Sequence, residues 1–524
     1  MHLGTLQKAW SGQWRKRVLH LAIPIIIANI SVPLTGIVDT AVMGRMDDPV
    51  YMGAVALGAI IFSSIFWLFG FLRMGTGGLV AQAFGASQSG ASQSGASQST
   101  TENLSASAAS SEPGRYQTAE TDGPEITLIV YRAVLIGAIL GVFLVLLQKP
   151  IALMAMKAFS GGAVLETLAS DYFYIRIYAA PATLITYSII GALIGLQQMR
   201  AVLLIQLLLN FSNITLTILF FQVFDGGVKG VALATVIAEY LSLFYAIYAL
   251  LKASRLWPLS VSLTKILDPL AMKQLFVVNA NLMIRTLCLT IAFYWLTESG
   301  VRLGTTVLAA NSILLHMLHF SSYALDGFAH AAETLCGNAY GRARRVISSG
   351  RDKADNNEQI FGAADTRPDR EFSEAAAVCF IWGMVFSLVF VAVFWIFGHH
   401  IIALMSDQAE VKEMAAIWLW WIIFSPLVAV TGFILDGIYI GVTHTRDMRN
   451  GMLQSVVIFL LANLMLVELF GNTGLWISYY ILMVARALTL FRTYPRIMQA
   501  MYGATTTKKT HENTKRSVSN TNSL

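Results

Sequence analysis

The chain has 524 residues, 56% of them hydrophobic and 13% charged, with a net charge of +6 and a mean hydropathy of +0.62. Soluble domains carry about 25% charged residues, so this composition excludes an ordinary water-soluble globule. The apolar residues come in continuous runs, a bilayer-crossing helix takes roughly 20 of them, and lipid leaves only helices or closed barrels as spanning structures. Runs without strand alternation are helices, so the fold class is an all-α membrane protein.

Twelve spans are predicted, over residues 18–44, 51–84, 125–148, 169–197, 199–222, 228–251, 274–298, 304–340, 374–398, 411–442, 450–470 and 473–494. They are called spans 1 to 12. Residues 1–17 form an N-terminal segment with Lys8, Arg15, Lys16 and Arg17, and the run that follows is too long for a cleavable signal. Span 2 ends in AQAFG (81–85), and the pentapeptide GASQS begins at Gly85, Gly90 and Gly95. The insert 86–124 has almost nothing to bury, cannot offset its ordering entropy, and is read as a disordered cytoplasmic loop. Spans 1–6 with that insert form an N-lobe over 18–251, and 252–273 is a linker. Spans 7–12 form a C-lobe over 274–494, with a polar cytoplasmic insert at 342–372, and 495–524 is a basic tail.

Basic residues orient the chain. The N-terminal cluster, Lys252, Arg255, Lys265 and Lys273 in the linker region, Arg446 and Arg449 after span 10, and the tail all fall on one side of twelve spans. The positive-inside rule makes that side cytoplasmic, with both termini. The charge is thus a topology signal, and no nucleic-acid partner is expected. Cys288, Cys336 and Cys379 lie in apolar helices, which suggests packing and not a disulfide framework.

The two lobes repeat. IYAAPATLITYSIIGALIGLQQMR (177–200) matches IIFSPLVAVTGFILDGIYIGVTHTR (422–446), placing Pro181 with Pro426, Gly195 with Gly441 and Arg200 with Arg446. Gly227 to Gly230 matches Gly471 to Gly474, and AQAFG matches GNAYG (337–341) at the end of span 8. The offset is 256 at that last pair and about 245 at the others, a change the unequal inserts mostly explain. Each lobe therefore has six spans in the same order, a parallel repeat.

Ionisable groups within spans are functional candidates, because burying one costs at least about 2.5 kcal/mol. Asp39 stands in SVPLTGIVDTAVMGRM (31–46), with no lysine or arginine within a helical turn. Pro24 and Pro33 each remove a backbone hydrogen bond from that span, so it can bend. From Val18, Asp39 is about 30 Å along the helix, in the outer half of the bilayer, where low dielectric favours loading a proton. In span 8, His319, Asp326, His330 and Glu333 fall on one helical face and suggest a polar stripe lining the C-lobe cavity. The Glu/His spacing resembles di-metal bundle ligands, but the repeated Glu-x-x-His motifs are absent, so no metal is expected. Asp436 in span 10 and Glu239 in span 6, one turn after Thr235, are further intramembrane acids. Arg73, Arg176, Arg285 and Arg486 are available positive partners for some of these acids, and a pairing of Arg285 with Asp326 or Glu333 is one expectation. There is no Walker loop, HExxH, GxSxG or strand-following GxGxxG, so neither an enzyme nor a self-contained ATP-driven pump is expected.

Two six-helix lobes, the opening LAIP…VDTAVMG and GVKGVALATVIAEY in span 6 resemble the multidrug and toxic compound extrusion (MATE) family. LDGFAHAAETLCGNAYG and LDGIYIGVTHTRDMRN resemble its DinF branch. The resemblance implies an antiporter that exports organic, cationic or amphipathic compounds in exchange for H⁺ or Na⁺. It needs no cofactor, sits in the cytoplasmic (inner) membrane, and is expected to work as a monomer. It also implies that Asp39 is the ion-coupling residue, that Pro24 bends its helix, and that Asn213 and Thr235 join the N-lobe site. Thr217 stands where some relatives carry a second acid, and span 7 holds Arg285 with no acid before Glu298. Both departures favour protons over sodium. A sodium-coupled exporter and a flippase for lipid-linked precursors remain the alternatives.

Overall fold

A computed structural model describes residues 13–43, 49–96, 123–158, 162–253, 262–355 and 368–521. Its elements are helices throughout. Nine stretches among the described residues are long and apolar enough to cross a membrane. One of them, Thr445–Met501, doubles back at Gly471 and holds two spans. Together with Gln13–Met43 and Thr305–Asp355, these make the twelve spans.

Span 1 is Gln13–Met43, and span 2 is Pro49–Leu68 followed, after a tight turn at Phe69 and Gly70, by Phe71–Ala96. Span 3 is Gly123–Leu146, with a short helix Gln148–Ala158 behind it. Span 4 joins Ala163–Arg176 to Ala180–Gly195 through one 3₁₀ turn, Ile177–Ala179. Pro181 stands at the second residue of the later segment, has no N–H to give, and leaves the preceding turn to tighten. Spans 5 and 6 are Met199–Gln222 and Gly227–Ala253. Span 7, Pro269–Arg302, starts on an Asp268 side chain that accepts from the Leu270 N–H, with proline at the first position. Span 8 is Thr305–Asp355, span 9 Pro368–Met405, span 10 Ala409–Gly441, and spans 11 and 12 are 445–470 and 472–521.

The repeat read from the sequence is present in the backbone. Gln197 and Thr443, 246 residues apart, are both non-glycine residues in the left-handed region, with φ of 62° and 55°. Each closes its helix by the same bonds: the Gln198 N–H reaches the Leu193 carbonyl, and the His444 N–H reaches the Tyr439 carbonyl. Gly227 and Gly471 have φ of 51° and 56° at the hairpins between spans 5 and 6 and spans 11 and 12. Glycine takes that conformation without the Cβ penalty that other residues bear.

The lobes meet on spans 2 and 8. A Cβ on Gly85 would strike the Asn338 backbone, and one on Gly341 would strike the Gln82 backbone. These are the glycines that close AQAFG and GNAYG, so the repeated motifs pack reciprocally on one another. Around this crossing the Gln82 amide donates to the Gly441 carbonyl and the Thr443 hydroxyl, both at 2.9 Å. The Thr334 hydroxyl donates to the Ile194 carbonyl, the Trp14 indole to Glu374, and Arg342 to Gln88 at 2.7 Å. All of these lie at the end of the bundle that carries Gln13 and the two inserts, here called the insert end.

Both inserts begin as helix. Span 2 continues through Ala96 and span 8 through Asp355, so the GASQS tract departs from the expected disorder at its start. Alanine, serine and glutamine permit the extra turns, and Arg342 and Arg345 of span 8 hold Gln88 and the Ala86 carbonyl. The periphery is apolar and exposed, as at Leu146, Leu404 and Phe491, which suits contact with lipid. Cys288, Cys336 and Cys379 are buried free thiols that serve packing.

Candidate functional site

Asp39 falls in the helical segment Gln13–Met43, but its side chain lies outside the described residues. Its helix packs on span 5. Span 5 presents Gln206, Asn210, Asn213 and Thr217, spaced four, three and four residues apart and therefore on one face. The Asn210 amide donates to the Ser31 hydroxyl of span 1 at 2.6 Å, and Gln206 donates to Asn210 at 3.2 Å. One turn on, the Asn213 amide donates to the Thr235 hydroxyl of span 6 at 2.9 Å. Thr217 is fully buried, and its hydroxyl has no partner among the described residues. The structure therefore brings Asn213, Thr217 and Thr235 together as expected and adds Ser31, Asn210 and Gln206. The 4-3-4 spacing in LLIQLLLNFSNITLT was the available signal for Gln206 and Asn210; nothing local marked Ser31. Pro24 is half-buried in the same span 1, five residues before Asn29, whose amide donates to the Tyr323 carbonyl of span 8.

Glu239 is not a member of that stripe. It is buried beside Arg176 of span 4, with Nη2 to Oε1 at 3.3 Å, and the guanidinium also sits 5.3 Å from the centres of both Phe62 and Phe66. Aromatic faces attract a cation, so Arg176 is held on two sides and Glu239 is neutralised in place.

In the C-lobe, Asp436 is the anchor of a buried triad. Arg285 of span 7 and Arg486 of span 12 both donate to its Oδ2. Arg285 is therefore paired with Asp436 and makes no hydrogen bond or ion pair with Asp326 or Glu333 among the described residues: Asp436 of span 10 lies closer to it, and Glu333 faces elsewhere. The triad holds two formal positive charges against one negative, and both Nε–H groups lack a partner among the described residues. The second guanidinium also lies 5.1 Å from the Phe433 ring.

The span 8 stripe is one face with three environments. His319 is exposed and packs on the Phe293 ring at 5.5 Å. Asp326 is half-buried, within electrostatic reach of His330, Arg73, Arg285 and Arg486. His330 and Glu333 are buried and joined at 2.9 Å. The remaining Glu333 oxygen points at Gly77 of span 2, where a Cβ would strike it. These last two thus stand in the seam between lobes and do not line a C-lobe cavity. The structure separates them from the outer half of the stripe. Among the described residues no group of three or more acidic, histidine or cysteine side chains is arranged to hold a metal.

Comparisons with known proteins agree with this architecture. The sequence model of the MatE family matches residues 24–109 and 361–468. The chain is 34% identical to the DNA damage-inducible protein F of Escherichia coli (strain K12), over 92% of each chain. A crystal structure of MATE in complex with MaL6 superposes with a TM-score of 0.74 at 17% identity, covering 95% of this chain and 99% of that one. An outward-facing multidrug resistance MATE family transporter gives 0.72 at 17% identity, covering 95% and 98%. With a two-lobed helical repeat and a curated relative matched along nine-tenths of both chains, this multi-pass membrane protein belongs to the MATE family of transporters and is not an enzyme.

Proposed function

We propose that the protein is a proton-coupled antiporter that exports organic cationic or amphipathic compounds by alternating access between its lobes, with Asp39 as the coupling group. The observation that carries the choice of ion is the makeup of the N-lobe stripe. Ser31, Asn210, Asn213, Thr217 and Thr235 are all neutral, and Glu239, the acid one turn from Thr235, is engaged by Arg176. Asp39 is then the one acid in the body of span 1, whose Ser31 meets the stripe. A sodium ion stripped of its water would meet one carboxylate and neutral oxygens there. A proton needs only the carboxylate.

The seam supports alternating access. It is tight at the insert end, and the positive-inside orientation makes that end cytoplasmic in the inner membrane. On this reading the described conformation faces outward, the state in which a proton enters and drug leaves. Protonating Asp39 would rearrange span 1 around Pro24, break its polar contacts with span 5 and lower the affinity for drug. The flippase alternative calls for arginines free to bind phosphate in the cavity, whereas Arg285 and Arg486 are both engaged by Asp436.

The test is drug flux from proteoliposomes under an imposed pH gradient without sodium, against a sodium gradient without a pH gradient. Wild type should run on the first alone. Asp39→Asn should insert, retain the fold and export nothing. Flux that requires sodium, or full flux in Asp39→Asn, overturns the proposal.

A further inference from the structure

A cavity of about 580 Å³ opens at the insert end of the C-lobe, between the start of span 7 and the turn joining spans 10 and 11. Lys273 and Gln274 line one wall, Thr443 to Arg446 the other, and Asn281 closes it. That far wall is built. The buried Asn281 amide donates to the Thr445 hydroxyl at 3.2 Å, and Arg449 donates to the Asn281 carbonyl oxygen at 2.9 Å.

The charge inside the cavity is positive. Its one carboxylate, Asp447, is engaged from outside by Arg496 at 2.8 Å and faces His444 at 3.6 Å. Lys273 and Arg446 have no protein partner among the described residues, and both are exposed. Two helices, spans 7 and 11, also begin here, so their N-terminal dipoles add to the same sign. Beside the opening, Leu270 and Phe276 are 79% and 69% exposed, as befits side chains at the edge of the hydrocarbon.

The repeat shows that the cavity is a feature of one lobe. Pro49 and Thr305 open the second span of each lobe, 256 residues apart, and that offset pairs Arg17 with Lys273. Gln197 and Thr443 already pair as the left-handed turn residues. In the N-lobe, Arg17 donates to Gln197 at 3.2 Å. In the C-lobe the equivalent two residues both line the cavity.

We infer that this cavity is a binding site for a phosphate-bearing anion, held by Lys273 and Arg446 across its two walls. Guanidinium and ammonium groups at a membrane interface recognise phosphate through charge-assisted hydrogen bonds. A bound phosphate ties span 7 to the turn that carries Thr443. The hydroxyl of Thr443 is the acceptor for Gln82 of the other lobe, so occupancy steadies the seam from one side. An anionic phospholipid headgroup and a soluble phosphate share this chemistry.

The experiment uses the purified full chain. Native mass spectrometry with a short-chain phosphatidylglycerol or phosphatidylcholine, and thermal-shift titration with inorganic phosphate, are compared across variants. Lys273→Gln/Arg446→Gln should weaken binding at least tenfold, and the equal-charge control Lys252→Gln/Arg492→Gln should leave it within threefold. Gln274→Trp, which fills the cavity and keeps both charges, should give the same loss and guards against misfolding of the double variant. Loss of phosphatidylglycerol binding alone assigns a lipid site, and loss of phosphate binding assigns a soluble one. Binding that is indifferent to these substitutions, or phosphatidylcholine binding as well as phosphatidylglycerol, overturns the site.

Discussion

Gly77 and Glu333 occupy equivalent positions in the two lobes, 256 residues apart, and face one another across the seam. The absence of a side chain at one position makes room for the carboxylate at the other. Around them the same logic recurs at Gly85 and Gly341, where each glycine rests on the opposite lobe's backbone.

The seam glycines therefore predict a ranked series. Gly85→Ala meets backbone, which cannot step aside, whereas Gly77→Ala meets the end of a side chain that can. Gly300→Ala meets only ordinary contacts at 3.5 Å and beyond. Overpacking costs about 1–3 kcal/mol, so Gly85→Ala should cut efflux at least tenfold, Gly77→Ala a few-fold, and Gly300→Ala hardly at all. Labels placed at the insert end should report a wider separation of the lobes in Gly85→Ala. Equal activity in all three variants would refute a rigid seam.

The C-lobe triad predicts an order of harm that simple charge counting misses. Asp436→Asn leaves two guanidinium groups buried without their hydrogen-bonded counter-ion, and breaking such a pair costs about 3–5 kcal/mol. Arg285→Met leaves a neutral pair, Asp436 with Arg486, and replaces the lost stem with an apolar one. Thermal unfolding in detergent should place Asp436→Asn well below Arg285→Met. The reverse order would mean that Arg285, not Asp436, holds the three spans together.

Much of this was legible in the sequence, and what was not has a physical reason. The repeat was visible because glycine and proline mark backbone positions, and Gly227 and Gly471 indeed share a left-handed turn. Gln197 and Thr443 share one too, yet nothing in a glutamine or a threonine announces it. Periodicity placed His319 to Glu333 on one face, but a face says nothing about which neighbour changes along it. The partner of Arg285 depended on how spans 7, 10 and 12 cross, which no local pattern encodes. Of the polar ladder on span 5, the family resemblance supplied Asn213 and Thr217, whereas Gln206 and Asn210 were marked only by their 4-3-4 spacing with those two, and an uncharged amide carries no cost of burial that would single it out.

Thr217 predicts a change of ion preference. Its buried hydroxyl has no partner among the described residues and stands one turn beyond Asn213. Thr217→Asp adds a second carboxylate to a stripe that is otherwise neutral. The variant should acquire sodium-stimulated efflux, at least threefold over sodium-free conditions, while wild type shows none. If Thr217→Asp remains indifferent to sodium at all concentrations tried, charge count in this stripe does not set the ion.

The insert after span 2 predicts that the position of a deletion matters more than its length. Removing residues 97–122 takes out Ser-, Thr- and Ala-rich chain that follows the described helix, and no contact named above depends on it. Removing 87–122 also takes Gln88, which accepts from Arg342 at 2.7 Å beside the ion pair that Arg342 makes with Glu371. Losing that acceptor leaves a partly buried guanidinium with one partner fewer, a loss of about 1.5–3 kcal/mol for a hydrogen bond to a charged group. It also deletes one strut of the insert-end seam, next to the Gly85 crossing. The shorter deletion should therefore insert and export within twofold of wild type. The longer one should insert but export several-fold less, and Gln88→Ala alone should reproduce most of that loss. Equal efflux from both deletions would show that the helix beyond Gly85 contributes nothing to closing the lobes. A severe defect from removing 97–122 alone would instead assign the tract a role that its composition does not suggest.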